Sequence, residues 1–284
     1  MTAMAAQDVR IVVLAAQRKG VANPLAERFH VSHKCLIPLH GIPLIRHVMA
    51  MLAAHGAGAG IVISVEPEAF AAVREALAGL PDEAAITLCP AADNLADSVL
   101  AAAGDHDGPI VITTADHALL RPESVDAMIA ALAHADVAIA MARRDAVLGV
   151  HAAGQRRFYE FSDHGYSNCN LYALAGRKAL GAVEVFRGGG QFAKNAARIV
   201  QSFGVLNLLA LRFRLVSLAG AMRRISRRIG LEIAPVVIAD GSQAIDVDND
   251  RTYAVVSELL TQRERAEAGS ALADIMPVRA IRVA

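Results

Sequence analysis

The feature that most constrains this chain is an alternation in its first half. Short apolar runs with β-branched centres stand at residues 9–16, 60–65, 84–89, 108–114 and 136–141. A run this short reads as a strand buried on both faces. Between the runs the period changes. Residues 41–43 open a helix with Leu44, Ile45, Val48 and Leu52 on one side, and helices are predicted over 66–77 and 94–103. Pro122 and Glu123 suit a first helical turn. Val125, Met128, Ile129 and Leu132 follow as an i, i+3, i+4, i+7 stripe. Strand–helix repeated in this way predicts an α/β fold, with a mostly parallel, Rossmann-like sheet, helices on both faces and right-handed crossovers.

The second half is more helical and less regular. Strands are expected at 157–161 and 168–174 around a 162–167 turn, and again at 231–239 and 243–247. Residues 177–229 read as mostly helical, broken near Gly188–Gly190 and Gly204, and 249–260 as a closing helix. With no internal repeat or linker, residues 1–262 are expected to form one domain. Its halves are about 9–142 and 143–262, and 263–284 is a tail.

Composition excludes several classes. Of 284 residues, 55% are hydrophobic and 20% charged, with 28 Lys+Arg against 28 Asp+Glu. A disordered chain would be less apolar and more highly charged. A protein that coats nucleic acid needs excess cations to displace counterions. Cys35, Cys89 and Cys169 are scattered without C-x-x-C spacing, which fits a reducing compartment. The first ten residues show no signal peptide, and the expected location is cytoplasmic. Residues 203–222 are apolar, but Arg212 and Arg214 interrupt them, and each arginine at mid-bilayer costs about 2.5–3.5 kcal/mol. A span is rejected.

In an open parallel sheet, ligands bind beyond the carboxyl ends of the strands. Three loops there carry the informative residues. Leu14-Ala15-Ala16-Gln17-Arg18-Lys19-Gly20, leading to Lys34, supplies cations suited to a polyphosphate. Thr114-Ala115-Asp116-His117 and Asp246-Val247-Asp248 supply carboxylates suited to Mg²⁺, which takes few protein oxygens and leaves the rest to phosphate and water. Singly, each has a blander explanation as a helix cap, a turn former or a solvated loop. His117 should point away from Asp116 if the local chain is extended.

The order of these motifs resembles the MobA-like (molybdenum-cofactor-type) NTP transferase family, nucleotidyltransferases of the glycosyltransferase-A-like fold. The resembling segments are Val13-Leu14-Ala15-Ala16, Lys34-Cys35-Leu36-Ile37-Pro38-Leu39-His40-Gly41-Ile42-Pro43, Asp116-His117-Ala118-Leu119-Leu120-Arg121-Pro122, Asn168-Cys169-Asn170-Leu171-Tyr172 and Asp246-Val247-Asp248. The chain departs from the family where Gln17 replaces a loop glycine and where Asp250 stands near an expected proline.

The resemblance implies transfer of an NMP from an NTP to a small phosphorylated acceptor, with release of pyrophosphate. It implies Mg²⁺ on Asp116 and Asp248, with Asp246 the next candidate. Arg18, Lys19 and Lys34 would hold phosphates, beside the main chain of Leu14, Ala15, Ala16 and Gln17. Catalysis would fall to Lys34, Asp116 and Arg18. Asn94 and Ser98 would read the base, and Asn170 and Lys194 would face the acceptor. Ser98-Val99 resembles cytidylyltransferases, so CTP comes first, with GTP and UTP open. Two alternatives remain: a glycosyltransferase of the same fold, and an inactive nucleotide-binding regulator. A Rossmann dehydrogenase is disfavoured, because no G-x-G-x-x-G follows the first strand.

Residues 212–228 hold six arginines and no acid, interleaved with apolar residues at helical spacing. This segment would pack on its own sheet, form a homodimer, or make weak peripheral contact with an anionic membrane. No nucleic-acid partner is expected.

Overall fold

The computed structural model describes residues 8–17, 23–81, 83–186, 209 and 212–275. Strands β1 (Arg10–Leu14), β4 (Ile61–Val65), β5 (Ile86–Pro90), β6 (Ile110–Thr114), β7 (Val137–Arg143), β8 (Tyr159–Glu160), β9 (Gly165–Leu174) and β10 (Ile233–Ile238) make one sheet. Its order is β10-β7-β9-β6-β1-β4-β5, with β8 on β9. A separate antiparallel pair, β2 (Pro38–Leu39) and β3 (Ile42–Pro43), leads into the second helix. The helices are α1 (Pro24–Arg28), α2 (Leu44–His55), α3 (Phe70–Leu77), α4 (Leu95–Ala103), α5 (Pro122–Ala131), α6 (Arg144–Val150), α7 (Leu218–Ile229) and α8 (Asp250–Ile275).

The doubly wound arrangement follows from residue alternation in β1. Ile11 and Val13 face one layer, and Val12 faces the other. The first layer gathers Leu44, Ile45, Val48, Met49 and Leu52 of α2 with Val73, Val125, Met128 and Val256 of the neighbouring helices. Each such side chain contributes about 1.5–3 kcal/mol on burial. The second layer is built from Ala96, Val99 and Ala102 of α4, Leu180, Val183, and Met222, Ile225 and Ile229 of α7.

The expected βα units form, and three differences stand in the second half. The strand expected from residue 168 begins at Gly165 and lies antiparallel between β6 and β7. This makes the sheet mixed, with every strand but β9 pointing one way. Residues 243–247 are not a strand. Asp240 accepts from the Ser242 amide, a 3-10 turn covers Gly241–Ala244, and Ile245 and Val247 are buried in a loop that continues to Asp248. A fully buried apolar run has no alternation to distinguish these cases. The closing helix continues past residue 260 to Ile275. Among the described residues, no helix is long and apolar enough to cross a membrane.

The turn before the acidic loop is packed against α6. A Cβ on Gly241 would lie 2.3 Å from the Ala146 carbonyl carbon and 2.4 Å from the Val147 nitrogen, both backbone atoms. Gly241→Ala should therefore destabilise the fold by about 1–3 kcal/mol, read as a lower urea midpoint at unchanged m-value. An unchanged midpoint would mean that this turn is not pressed against α6.

Candidate active site

The chain runs from β1 towards β4 on one side of β1, while β6 pairs on the other. The crevice beyond the carboxyl ends of β1 and β6 is thus a topological switch point, where open α/β sheets bind ligands. The Leu14–Gln17 loop enters this crevice from β1, and Asp116 enters from β6. The Ala115 amide donates to Leu14 O at 3.0 Å and the Ala15 amide to Ser64 O at 2.9 Å, so the two loops start from fixed main chain.

Lys34 lies in the short 3-10 turn Lys34–Leu36 and reaches across the crevice. Its Nζ donates to Asp116 Oδ2 and to Asp248 Oδ1, the latter at 2.6 Å. The two acidic loops also touch directly, through the Val247 amide and Asp116 O at 3.4 Å. Burial opposes charge on Lys34, yet the two carboxylates hold its ammonium more firmly protonated than an ordinary lysine. Burial likewise opposes ionisation of Asp116. The charge of Lys34 and its hydrogen bond outweigh it and hold the carboxyl below the usual range.

Asp246 is different. It is buried, and burial together with the nearby charges of Asp116 and Asp248 pushes its carboxyl well above the usual range. Asn170 Nδ2 donates to Asp246 Oδ2 at 2.6 Å, while Oδ1 has no hydrogen-bond partner among the described residues. Asn170 sits at φ +47°, in the left-handed region that asparagine tolerates better than most residues. Its amide donates to Asn168 Oδ1 at 2.8 Å, and the Asn168 carboxamide donates to the Tyr172 hydroxyl. The antiparallel path of β9 therefore delivers Asn170 to the acidic loop.

The other expected residues are placed as follows. Gln17 does not reach into open crevice. Its amide donates to Glu66 Oε1 at 2.9 Å, its Nε2 donates to Ser32 O at 2.9 Å, and its Oε1 accepts from the Lys34 amide at 3.4 Å. The residue that replaces a loop glycine thus ties the first loop to the segment carrying Lys34. Asn94 caps α4 by accepting from the Asp97 amide, and Ser98 Oγ accepts from the Ala92 amide at 3.0 Å. Both side chains shape the loop after β5. Arg18, Lys19 and Lys194 lie outside the described residues. His117 is buried and turned to Thr113, whose Oγ1 lies 3.2 Å from Nδ1. Burial pushes its pKa down to about 4, which leaves the ring uncharged at neutral pH.

Three supporting residues carried no signal in the sequence. Glu66 holds the Gln17 amide and lies 3.6 Å from His33 Nε2. Thr252 Oγ1 accepts from the Asp248 and Asn249 amides at 2.9 and 3.1 Å. Arg263 donates to Leu119 O at 2.7 Å, to Asp240 Oδ2 at 3.0 Å and to Ser242 Oγ at 2.5 Å, which pins the loop after Asp116 to the turn before Asp246.

Among the described residues, no three His, Cys, Asp or Glu side chains form a ready metal cage. Asp116 and Asp248 nevertheless converge on one cationic point, and Asp246 keeps a buried acceptor without a partner. Mg²⁺ is usually held by one or two carboxylates plus substrate phosphates. The donor set fits an ion that arrives with a nucleotide.

The sequence matches the MobA-like NTP transferase domain family over residues 11–194. Comparison with curated protein sequences returns no match. Among solved structures, a hypothetical transferase from Thermus thermophilus superposes with TM-score 0.66 at 22% identity, over 86% of this chain and 98% of its own. A 4-diphosphocytidyl-2C-methyl-D-erythritol synthase from Anaerococcus prevotii gives 0.57 at 9%, over 90% and 97%. A CMP:2-keto-3-deoxy-manno-octonic acid synthetase complexed with CTP gives 0.56 at 14%, over 90% and 99%. At these identities the likeness establishes the fold.

The raised Asp246 carboxyl makes a pH-dependent prediction. Below the unfolded carboxylate range both states are protonated and the residue has no linkage effect. As pH rises, the unfolded chain ionises first, and the fold loses stability until the native carboxyl ionises too. Asp246→Asn removes that loss and can still accept from Asn170. The variant should melt at least about 2 °C higher at neutral pH, with the gain shrinking towards pH 3. A lower melting temperature at neutral pH would contradict the charge assignment.

Proposed function

This chain belongs to the MobA-like NTP transferase domain family and is a nucleotidyltransferase; we propose that it transfers an NMP from an NTP, CTP first, to a small phosphomonoester acceptor and releases pyrophosphate. The observation that carries the reading is the Lys34 ammonium held between Asp116 and Asp248 at the sheet's switch point. Family membership favours this chemistry over sugar transfer on the same fold. The CTP-complexed structural neighbour supports cytidine as the first nucleotide to test.

In this reaction an acceptor phosphate oxygen attacks the α-phosphorus in line. A new P–O bond forms, the bond to the β-phosphate oxygen breaks, and pyrophosphate leaves with that electron pair. Positioning and charge neutralisation supply most of the acceleration. Asp116 and Asp248 would hold Mg²⁺, with Asp246 beside them. When bound, the ion neutralises charge on the α-phosphate and the leaving group. Lys34 would then turn from the carboxylates to the phosphates, with Arg18 and Lys19 as further phosphate contacts. Gln17 keeps the loop after β1 in register with Lys34, and that loop would line the triphosphate. Asn170, fixed by Asp246 and Asn168, presents its carboxamide to the acceptor, joined by Lys194. Asn94 and Ser98 set the loop against which the base would rest.

A pyrophosphate-release screen of four NTPs against a panel of small phosphomonoesters tests the reaction class. Turnover with at least one pair is expected, with Mg²⁺ required; no release with any pair would contradict it. Asp116→Ala should lower kcat by about 10²–10³-fold or more while the protein stays folded by circular dichroism. Near-native turnover would remove Asp116 from the site. Lys34→Ala should raise the NTP requirement and slow turnover together, and an unchanged nucleotide dependence would exclude a phosphate contact.

A further inference from the structure

Helix α8 turns one face to the acidic loops. Thr252, Val256 and Leu259 are buried on it, and Arg263 follows eleven residues, about three turns, after Thr252. At one end of this face Thr252 Oγ1 accepts from the Asp248 and Asn249 amides. At the other end the Arg263 side chain is only 15% exposed and reaches two separate segments. The chain from Asp240 to Asp248 therefore runs beside α8 and is held by it at both ends.

Two nitrogens of Arg263 make the far connection. Nη1 donates to Leu119 O at 2.7 Å, three residues after Asp116. Nη2 donates to Asp240 Oδ2 at 3.0 Å and to Ser242 Oγ at 2.5 Å, in the turn before Asp246. A guanidinium holds its donors in a rigid planar fork, whereas a lysine ammonium is a single point on a flexible stem. The bridge is thus one that arginine makes and lysine does not. Neighbouring charges are mixed: Arg121 opposes the charge of Arg263, while Asp240 and Glu267 support it.

The direct contact between the two loops is weaker. The Val247 amide lies 3.4 Å from Asp116 O, beyond the usual spacing of about 2.9–3.0 Å. Asp116 and Asp248 also act on Asp246 as like charges, which push the loops apart. Lys34 joins Asp116 to Asp248 from the crevice side, but in the proposed reaction it leaves them for the phosphates. Arg263 bonds the loops from the helix side and stays in place.

We propose that Arg263 is a positioning residue that fixes the spacing of the Asp116 loop and the Asp246–Asp248 loop for a metal ion bound with nucleotide. The proposal rests on the nucleotidyltransferase reading. Mg²⁺ demands near-ideal octahedral geometry with oxygens at about 2.0–2.1 Å. Groups that orient metal ligands without touching the ion typically set affinity by about 10–100-fold. Arg263 acts in this way through Leu119 and the Gly241–Ala244 turn.

The test is calorimetric titration of the full chain with CTP, GTP and UTP over a series of Mg²⁺ concentrations. In Arg263→Lys and Arg263→Met, the Mg²⁺ concentration for half-maximal nucleotide binding should rise at least about tenfold. Ser242→Ala removes one bond and leaves the cation in place, so it should raise that concentration by about threefold or more even if the Arg263 variants fail to fold. Without ligand, amides of residues 240–248 in Arg263→Lys should exchange hydrogen at least about tenfold faster, with those of β1 and β6 unchanged. Met49→Ala, in the buried face of α2, loosens the fold far from these loops and should leave the Mg²⁺ requirement as it is. An unchanged Mg²⁺ requirement in Arg263→Lys or Ser242→Ala, or an equal rise in Met49→Ala, would overturn the proposal alone. Failure of the wild-type protein to bind any of the three nucleotides with Mg²⁺ would overturn the nucleotidyltransferase reading, and the proposal with it.

Discussion

The geometry of the candidate site depends on one electrostatic arrangement. Asp116, Asp246 and Asp248 are crowded at one end of the sheet, and the Lys34 ammonium joins two of them. Removing charges from water is costly, and a buried pair offsets that cost only when its geometry is good. Here one cation serves Asp116 and Asp248. The third carboxyl, Asp246, is left with a raised pKa and, among the described residues, an oxygen without a partner. The cluster is therefore under-neutralised, which is the condition for attracting a further cation. An active site commonly holds charge at some cost to stability.

Much of the surrounding fold holds these groups together. The Asp116 loop and the Asp246–Asp248 loop come from positions 130 residues apart in sequence, yet the Val247 amide bonds Asp116 O across them. Arg263, on the closing helix, bonds both the chain after Asp116 and the turn before Asp246. Glu66 and Gln17 do the same for the first loop and the Lys34 turn. These contacts join segments that the packing of the two core layers alone would leave independent.

The first half of the fold was legible because its signals are local. β1, β4, β5 and β6 are short β-branched runs, and α2 and α5 have one apolar stripe each. The direction of β9 was not legible, since strand periodicity is the same for parallel and antiparallel pairing. Ala244, Ile245 and Val247 imitated a strand because a buried loop needs the same apolar residues. Lys34, Asp116, Asp246 and Asp248 are legible as charged residues of the three loops expected beyond the carboxyl ends of the strands, and Asn170 as part of a resembling motif. Arg263, Glu66 and Thr252 were not, because each acts through one or two hydrogen bonds whose partners only the fold brings near. Gln17 looked like a defect in a phosphate loop, and its three hydrogen bonds give it a structural role instead.

On the proposed function, Asp116 and Asp248 would exchange the Lys34 ammonium for a metal ion carried by a nucleoside triphosphate. Calorimetric titration of the protein with CTP, GTP and UTP, with Mg²⁺ and with a chelator, tests this directly. At least one nucleotide should bind with Mg²⁺ at least about tenfold more tightly than with the chelator, because an opposite charge is then shared between carboxylates and phosphates. Equal affinity in the two conditions, or no binding of any of the three, would contradict it.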